Sequence, residues 1–400
     1  MKWLKTVMKL TLSRREKGVA MLLVIVIIAI MLPIVTDMNY EARTEFMIAM
    51  NYKQKAETMV LAQSGITFAV TVFDLQKQLE SMMKSLGGKS SSTGSFELWD
   101  IIPFDTALLR AFTQAGPFLD MEDMTDKEAL KKQGEENAGT DGGETGEPIF
   151  DFPGDFKLEF TNEDQKINLN SVNFGGVRTV TKMLESVIAP DEYDFIFEEN
   201  TNRPEFVDRI ELVQNIVDWI DKDTERYSDN DKYPGGGAEQ SLYDDFQPPY
   251  QVKNAGLDSI PELRMIYGVN DVIYRLIAPN VTIYSTGKIN INKASSPMLE
   301  SLIRAYAKDS ALGIFYDRRQ MREFMGKVLM RKTRDGWSKP KDFVKSVQEE
   351  GVALDGAIGK IITTKGRIYR IRSVGSKNGV ESWIEIVVDK KGNKYYYRQG

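Results

Sequence analysis

The chain opens with a basic leader that runs directly into an apolar stretch. Lys2, Lys5, Lys9, Arg14, Arg15 and Lys17 all precede Val19 to Val35, a run with no charged residue. Such a run is slightly short of the ~20 residues that usually cross a bilayer, and the preceding cations keep the leader on the cytoplasmic side. A secretory signal would carry its small-residue cleavage site after the apolar stretch. Here Pro33, Asp37, Asn39 and Glu41 follow instead, and the pattern continues as helix. A cut after Gly18 would leave the apolar run at a new N-terminus beginning at Val19. An uncleaved single-pass anchor is the alternative reading of the same segment.

Composition then limits what the rest can do. Four hundred residues, 42% hydrophobic and 28% charged, suit a folded body of two or three domains. The net charge of -6, despite the basic leader, makes the head acidic and disfavours nucleic acid as a partner. With Cys 0 and His 0 there is no disulfide framework, thiolate nucleophile, Ser-His-Asp triad, or His- or Cys-ligated zinc. Any chemistry would rest on carboxylates, Lys, Tyr or a hard metal ion.

Tyr40 to Phe73 holds no proline and one glycine, Gly65, with apolar residues at helical spacing, so the anchor is expected to continue as one long helix. Gly87 to Gly94 and Gln133 to Gly146 read as polar loops, with a short packed element from Leu98 to Leu119 between them. Phe156 to Phe160 alternates as a strand. Helical patterns follow at Arg178 to Ile188, Glu205 to Ile220, Ser259 to Tyr267, Pro297 to Tyr306 and Arg318 to Met330. Arg367 to Val374 and Trp383 to Val388 flank Lys377-Asn378-Gly379, an Asn-Gly hairpin signal, and Lys394 to Tyr397 adds a third strand. The expected fold is α+β: a long N-terminal transmembrane and amphipathic helix on a small antiparallel sheet, with a large all-helical domain inserted. Its expected divisions are a leader at 1–18, the helix at 19–84, a loop-rich region at 85–162, the helical insertion at 163–365 and terminal strands at 366–400.

Carboxylates are densest at Asp218-Trp219-Ile220-Asp221-Lys222-Asp223, followed by Asp229, Asp231, Gly235-Gly236-Gly237, Glu239 and Asp244-Asp245. A loop leaving a helix can converge such oxygens on a hard cation such as Ca²⁺. It is not an EF-hand, because Arg226 stands where that loop needs glycine. A solvated acidic loop is the competing reading. The phrases Lys166-Ile167-Asn168-Leu169-Asn170 and Lys288-Ile289-Asn290-Ile291-Asn292 each precede a helix, which their asparagines are expected to cap. The second phrase, with Arg331 to Val347, is similar to a helix-hairpin-helix. The cations from Arg318 to Arg334 read as a solvated helix face.

The leader ending in Gly18, the Asp218 to Asp223 stretch, Gly237-Ala238-Glu239 with Tyr243, Pro248-Pro249-Tyr250, Asn254, Glu262-Leu263-Arg264 and Ile289 to Ala294 together resemble the type II secretion system protein K family. These are the large minor pseudopilins. The resemblance implies a pilin-like head with a SAM-like or helix-hairpin-helix-like insertion. It implies cleavage after Gly18 by prepilin peptidase, methylation of Val19, and no enzymatic activity. Partners would be other minor pseudopilins at the tip of a periplasmic pseudopilus, with secreted substrates or the outer-membrane pore as further contacts. The location would be the inner membrane, single-pass, with the head in the periplasm. It further implies calcium, carried over by position onto Asp218, Asp221, Asp223 and Glu239, although Tyr227 to Tyr233 makes the link longer than the family's usual one. Leu23 replaces the glutamate that most pilins carry five residues into the mature chain, a trait the K-type family shares and one that suits a subunit with no neighbour above it. The rival readings are a minor pilin that binds DNA or surfaces, and a membrane-anchored hydrolase using acidic residues.

Overall fold

The computed structural model describes residues 14–85, 97–115, 153–197, 207–229, 232–308 and 313–400. Most of the leader, the loops expected at 87–94 and 133–146, Phe118 and Asp231 lie outside these residues. Helix α1 (Arg14–Ser85) is continuous for 72 residues, about 108 Å at 1.5 Å per residue. It passes through Pro33 without a break.

Two environments divide this helix. Side chains from Met21 to Lys53 are exposed throughout, including Phe46, Met47 and Ile48, and an 18-residue window here reaches a mean hydropathy of 2.7 with none of it buried. From Thr58 onward one face is covered. Leu61, Ala62, Ile66, Ala69, Val72 and Phe73 are buried at helical spacing. They lie on a four-stranded antiparallel sheet of β1 (Asp155–Asn162), β6 (Ile368–Lys377), β7 (Val380–Asp389) and β8 (Lys394–Gln399), in the order β1-β6-β7-β8. The α+β organisation expected from the sequence is therefore found, with the early strand paired to the late meander along its whole length, Asp155 opposite Ser376 through Asn162 opposite Tyr369. Residues that alternate along β6 and β7, such as Ile371, Ile384 and Ile386, meet the helix and form one core with Phe104, Leu108, Phe156 and Leu158.

The helix crosses the sheet closely. A Cβ on Gly375 would stand 2.1 Å from the Thr58 carbonyl and 2.7 Å from the Ala62 nitrogen, so only glycine admits the backbone there.

A second core fills the helical region between β1 and β6. Its larger helices are α3 (Val177–Ile188), α4 (Arg209–Ile220), α6 (Ser296–Tyr306), α7 (Arg318–Arg334) and α8 (Pro340–Glu349). The helix expected at Ser259 to Tyr267 is only a short 3-10 turn, Ile260–Met265. The two asparagine phrases do more than cap. Each begins a short parallel pair: β2 (Ile167–Asn168) with β3 (Val281–Thr282), and β4 (Ile289–Asn290) with β5 (Ile362–Thr363). Asn168 and Asn290 each accept the N–H two residues on, at 3.0 and 3.2 Å. Asn170 exchanges two hydrogen bonds with the backbone of Leu257 (2.9 and 2.7 Å) and Asn292 two with Trp337 (both 2.9 Å). A side-chain amide thus imitates a strand neighbour for a distant loop, while Ser295 caps α6.

The insertion is fastened to the sheet by buried acids at the end of β1. Asp164 accepts from Thr286 N and Oγ1, each at 2.9 Å, and from Arg367 N (2.7 Å) and Ile368 N (3.1 Å) at the start of β6. Glu163 meets Arg370 Nε at 2.6 Å, Lys166 at 3.7 Å and the Thr282 hydroxyl. Burial would raise its pKa, but Lys166 and Arg370 outweigh it and hold the carboxyl below its ordinary value. Asp164→Ala leaves four donors without this acceptor and should lower stability by about 3 kcal/mol or more, read by denaturant unfolding of the detergent-solubilised chain. A loss under about 1 kcal/mol, the size of a single neutral hydrogen bond, would contradict this role.

Candidate metal centre

Asp208 caps α4 by accepting from Glu211 N at 2.8 Å, and every residue from Leu212 to Ile220 is buried. The helix therefore delivers Asp218, in its last turn, into the interior, and Asp221 follows at the C-cap. The chain then doubles back. Glu225 bridges Ala238, and Glu239 N donates to the Thr224 carbonyl at 3.4 Å. Gly236 and Gly237 take φ of 108° and 94°, left-handed values that suit glycine. This turn sets Glu239, 1% exposed, over the end of α4.

Three of the four acidic residues singled out from the sequence come together. One oxygen each from Asp218, Asp221 and Glu239 lies within 4.8 Å of the others. Two ligands of one ion stand at most about twice a Ca²⁺–oxygen bond of ~2.4 Å apart, so the three oxygens are near enough to share one ion. Asp223 stands differently. Its carboxylate accepts from Glu225 N at 3.0 Å, shaping the turn, and its backbone carbonyl accepts from Asn254 Nδ2 at 2.6 Å. Farther along, Asp229 takes the N–H groups of Lys232 and Tyr233 at 2.8 and 2.9 Å.

The oxygens of the centre are buried without hydrogen-bond partners: Asp218 Oδ2, Asp221 Oδ1, both carboxylate oxygens of Glu239, and Asn254 Oδ1. Arg226 supplies the nearest cation, its Nε 3.5 Å from Asp218 Oδ2, but its guanidinium donates to Gln214 (3.0 Å) and Asn215 (2.8 Å) instead. Burial pushes Asp218 up to about 6, with the Tyr227 N–H and Arg226 pulling the other way. Burial, then Asp223 and Asp218, raises Asp221 to about 7. Burial and all three aspartates raise Glu239 to about 8. Three mutually repelling acids with orphaned oxygens and an amide oxygen beside them form a hard, all-oxygen donor set that fits a calcium-like cation.

Asn254 reaches the same loop through its Nδ2 bond to the Asp223 carbonyl, and its Oδ1 is likewise buried without a partner. Its φ of 46° is unusual for a residue other than glycine and brings the side chain back onto the loop. The sequence marks Asn254 only as part of a family pattern; no spacing rule reaches from residue 221 to 254.

The remaining sequence candidates lie elsewhere. Gly18 and Val19 fall within α1, and Leu23 is 58% exposed on its apolar part. Along α7, Arg319, Lys327, Arg331 and Arg334 pair with Glu323, Glu350, Glu349 and Asp335, as expected of a solvated face.

Residues 205–286, which enclose the whole centre, match the family model described as type II secretion system (T2SS), protein K. The chain is 26% identical over 188 residues to a type II secretion system protein K of Aeromonas hydrophila, covering 46% of this chain and 52% of that protein. It is 27% identical over 151 residues to the protein of the same name in Pectobacterium carotovorum subsp. carotovorum, covering 36% and 42%. The chain therefore spans about half the length, 52% and 42%, of these curated relatives. A crystal structure of a GspK-GspI-GspJ complex from the enterotoxigenic Escherichia coli type 2 secretion system is similar at 18% identity and a TM-score of 0.45, covering 63% of this chain and 82% of that one. The family-model match and the two relatives bear out the resemblance drawn from the sequence.

Calcium should stabilise the chain by about 2.7 kcal/mol at a hundredfold excess over Kd, seen as a higher Tm than in chelator. In Asp221→Asn that gain should vanish while the chelated Tm stays equal or rises, since a repelling charge is gone; a calcium response equal to the parent's would count against the centre. Because the folded carboxyls hold protons more tightly than unfolded ones, the chelated chain should lose stability as pH rises from about 4 to about 8. Calcium should flatten or invert that slope. A chelated Tm that climbs across the window would refute the electrostatic reading.

Proposed function

We propose that this chain, which carries the type II secretion system protein K domain at residues 205–286, is a minor pseudopilin. It is a non-enzymatic subunit that initiates and caps a periplasmic pseudopilus used to export folded proteins. The observation that carries the reading is that the matched segment coincides with the carboxylate centre, in a chain whose long helix is apolar at one end and sheet-bound at the other.

The physical roles follow from that division. The segment from Val19 to Val35 sits in the inner membrane, with the leader on the cytoplasmic side for prepilin peptidase to cut after Gly18. The exposed apolar side chains between Phe46 and Tyr52 are uncovered in the isolated chain and pack against the helices of other minor pseudopilins. Leu23 offers no carboxylate to the N-terminal amine of a subunit above. The chain is therefore held from its sides and from below, which suits a tip position.

Calcium belongs to the head in this reading. Asp218, Asp221, Glu239 and Asn254 would hold it, with Asp223 shaping the loop, and the ion would fix the loop between α4 and Glu239 by neutralising its acids. It supplies cohesion and no reaction step.

Mass spectrometry of the chain matured in cells tests the proposal. The expected N-terminus is methylated Val19, with residues 1–18 removed. An intact leader, or a cut after the apolar run, would overturn the reading and return the segment to an ordinary anchor or signal.

A further inference from the structure

Among the described residues strand β8 is the outermost strand and pairs only with β7. Trp383 and Gly400 exchange backbone hydrogen bonds of 2.9 and 3.0 Å. Alternation along an antiparallel ladder then turns the N–H and C=O groups of Tyr397 and Gln399, opposite Ile386 and Ile384, away from β7. No described element pairs with that side of β8. The shift in register at Val387/Val388 re-aims the strand. Tyr395 there lines a cavity of about 560 Å³ shared with Lys288, Lys360, Ser285 and Thr286.

Charge selects what this edge can accept. Lys288, Lys360, Lys391 and Lys394 are exposed, and none makes an ion pair among the described residues. Lys288 and Lys360 line the cavity beside Tyr395, and Lys391 and Lys394 lie at the turn into β8, where the Asp389 carboxylate bonds Asn393 and the Tyr395 hydroxyl, in a chain whose net charge is -6. A second copy of β8 would set Lys394 and Arg398 against the same cations, which cross-strand pairing disfavours. An acidic strand meets them with opposite charge and finds free backbone donors and acceptors beside them.

We propose that the β8 edge is a docking site for an extended acidic segment of a protein partner, which adds as a fifth strand and places a carboxylate near Lys288 and Lys360. The site goes beyond the pseudopilin reading and does not depend on the metal centre. Backbone pairing supplies the affinity, and the lysines select the partner and its register.

The test uses the full chain in detergent micelles and a fluorescent eight-residue peptide of alternating Glu and Val with blocked ends. Binding should weaken at least tenfold in Tyr397→Pro, which removes an outward donor while leaving the β7 ladder intact, as proline is tolerated at sheet edges. Should that variant misfold, N-methylating the peptide's alternate amides gives the same loss with the protein untouched. Lys288→Glu combined with Lys360→Glu should weaken binding about tenfold and flatten its salt dependence, and a Lys-Val peptide should not bind. Absence of binding by the Glu-Val peptide, or binding indifferent to N-methylation, would overturn the proposal. So would capture by anionic vesicles that is equal for the parent and Tyr397→Pro, because the lysines would then serve a lipid surface.

Discussion

The close crossing of the long helix over the sheet at Gly375 is the contact on which the rest of this structure depends. There the helix backbone at Thr58 and Ala62 comes so near β6 that a methyl group would collide with it. A comparable restriction acts from the helix side, where a Cβ on Gly65 would lie 2.3 Å from Ser373 Oγ. With no room for side chains at the crossing, the neighbouring residues Ile66, Ala69, Val72 and Phe73 reach the sheet and bury their apolar surface. The crossing thereby fixes how much of the helix is left over. The side chains from Met21 to Lys53 are exposed and must find lipid or another chain.

The insertion is tied to this platform by charge, where the sheet relies on apolar packing. Asp164 joins the end of β1, the Thr286 turn and the start of β6 through one carboxylate, and Glu163 does the same for Arg370 and Thr282. Buried acids are tolerated when each oxygen is saturated with donors. The centre at Asp218 has the opposite character: its acids repel one another, and Asp218 Oδ2, Asp221 Oδ1 and both Glu239 oxygens are buried without a donor, while Asp218 Oδ1 takes the Tyr227 N–H at 2.7 Å. Both arrangements sit in one region, so the contrast isolates what a cation would add, which is charge compensation beyond the one guanidinium, Arg226, 3.5 Å from Asp218.

How much could be seen beforehand depended on the range of each signal. The helix, the Asn-Gly hairpin and the alternation of Phe156 to Phe160 are local patterns, and they emerge as α1, the β6–β7 turn and β1. Asp218 and Asp221 share one helix end and are legible together; Glu239 stands in the same acidic stretch, and its assignment as a ligand comes with the family pattern. Asn254 and the junction acids Glu163 and Asp164 are not legible as functional groups, because, Lys166 beside Glu163 apart, their partners lie between 31 and 207 residues away. The asparagine phrases act as caps only in part, Asn168 capping the 3-10 turn that follows it. Their second asparagines bind Leu257 and Trp337, 87 and 45 residues distant, and no local rule reports such a clamp.

The central claim is that the uncovered part of α1 is a surface for other subunits. The chain has no cysteine, so single cysteines introduced in turn from Phe46 to Lys55 can each carry a thiol-attached photo-crosslinker that reacts with any neighbouring side chain, with no competing thiol on this chain. The account predicts cross-links to the helices of other minor pseudopilins, strongest at positions recurring with the helical period of 3.6 residues. Failure of every position to capture a protein partner, in cells where the chain is expressed and processed, would contradict it.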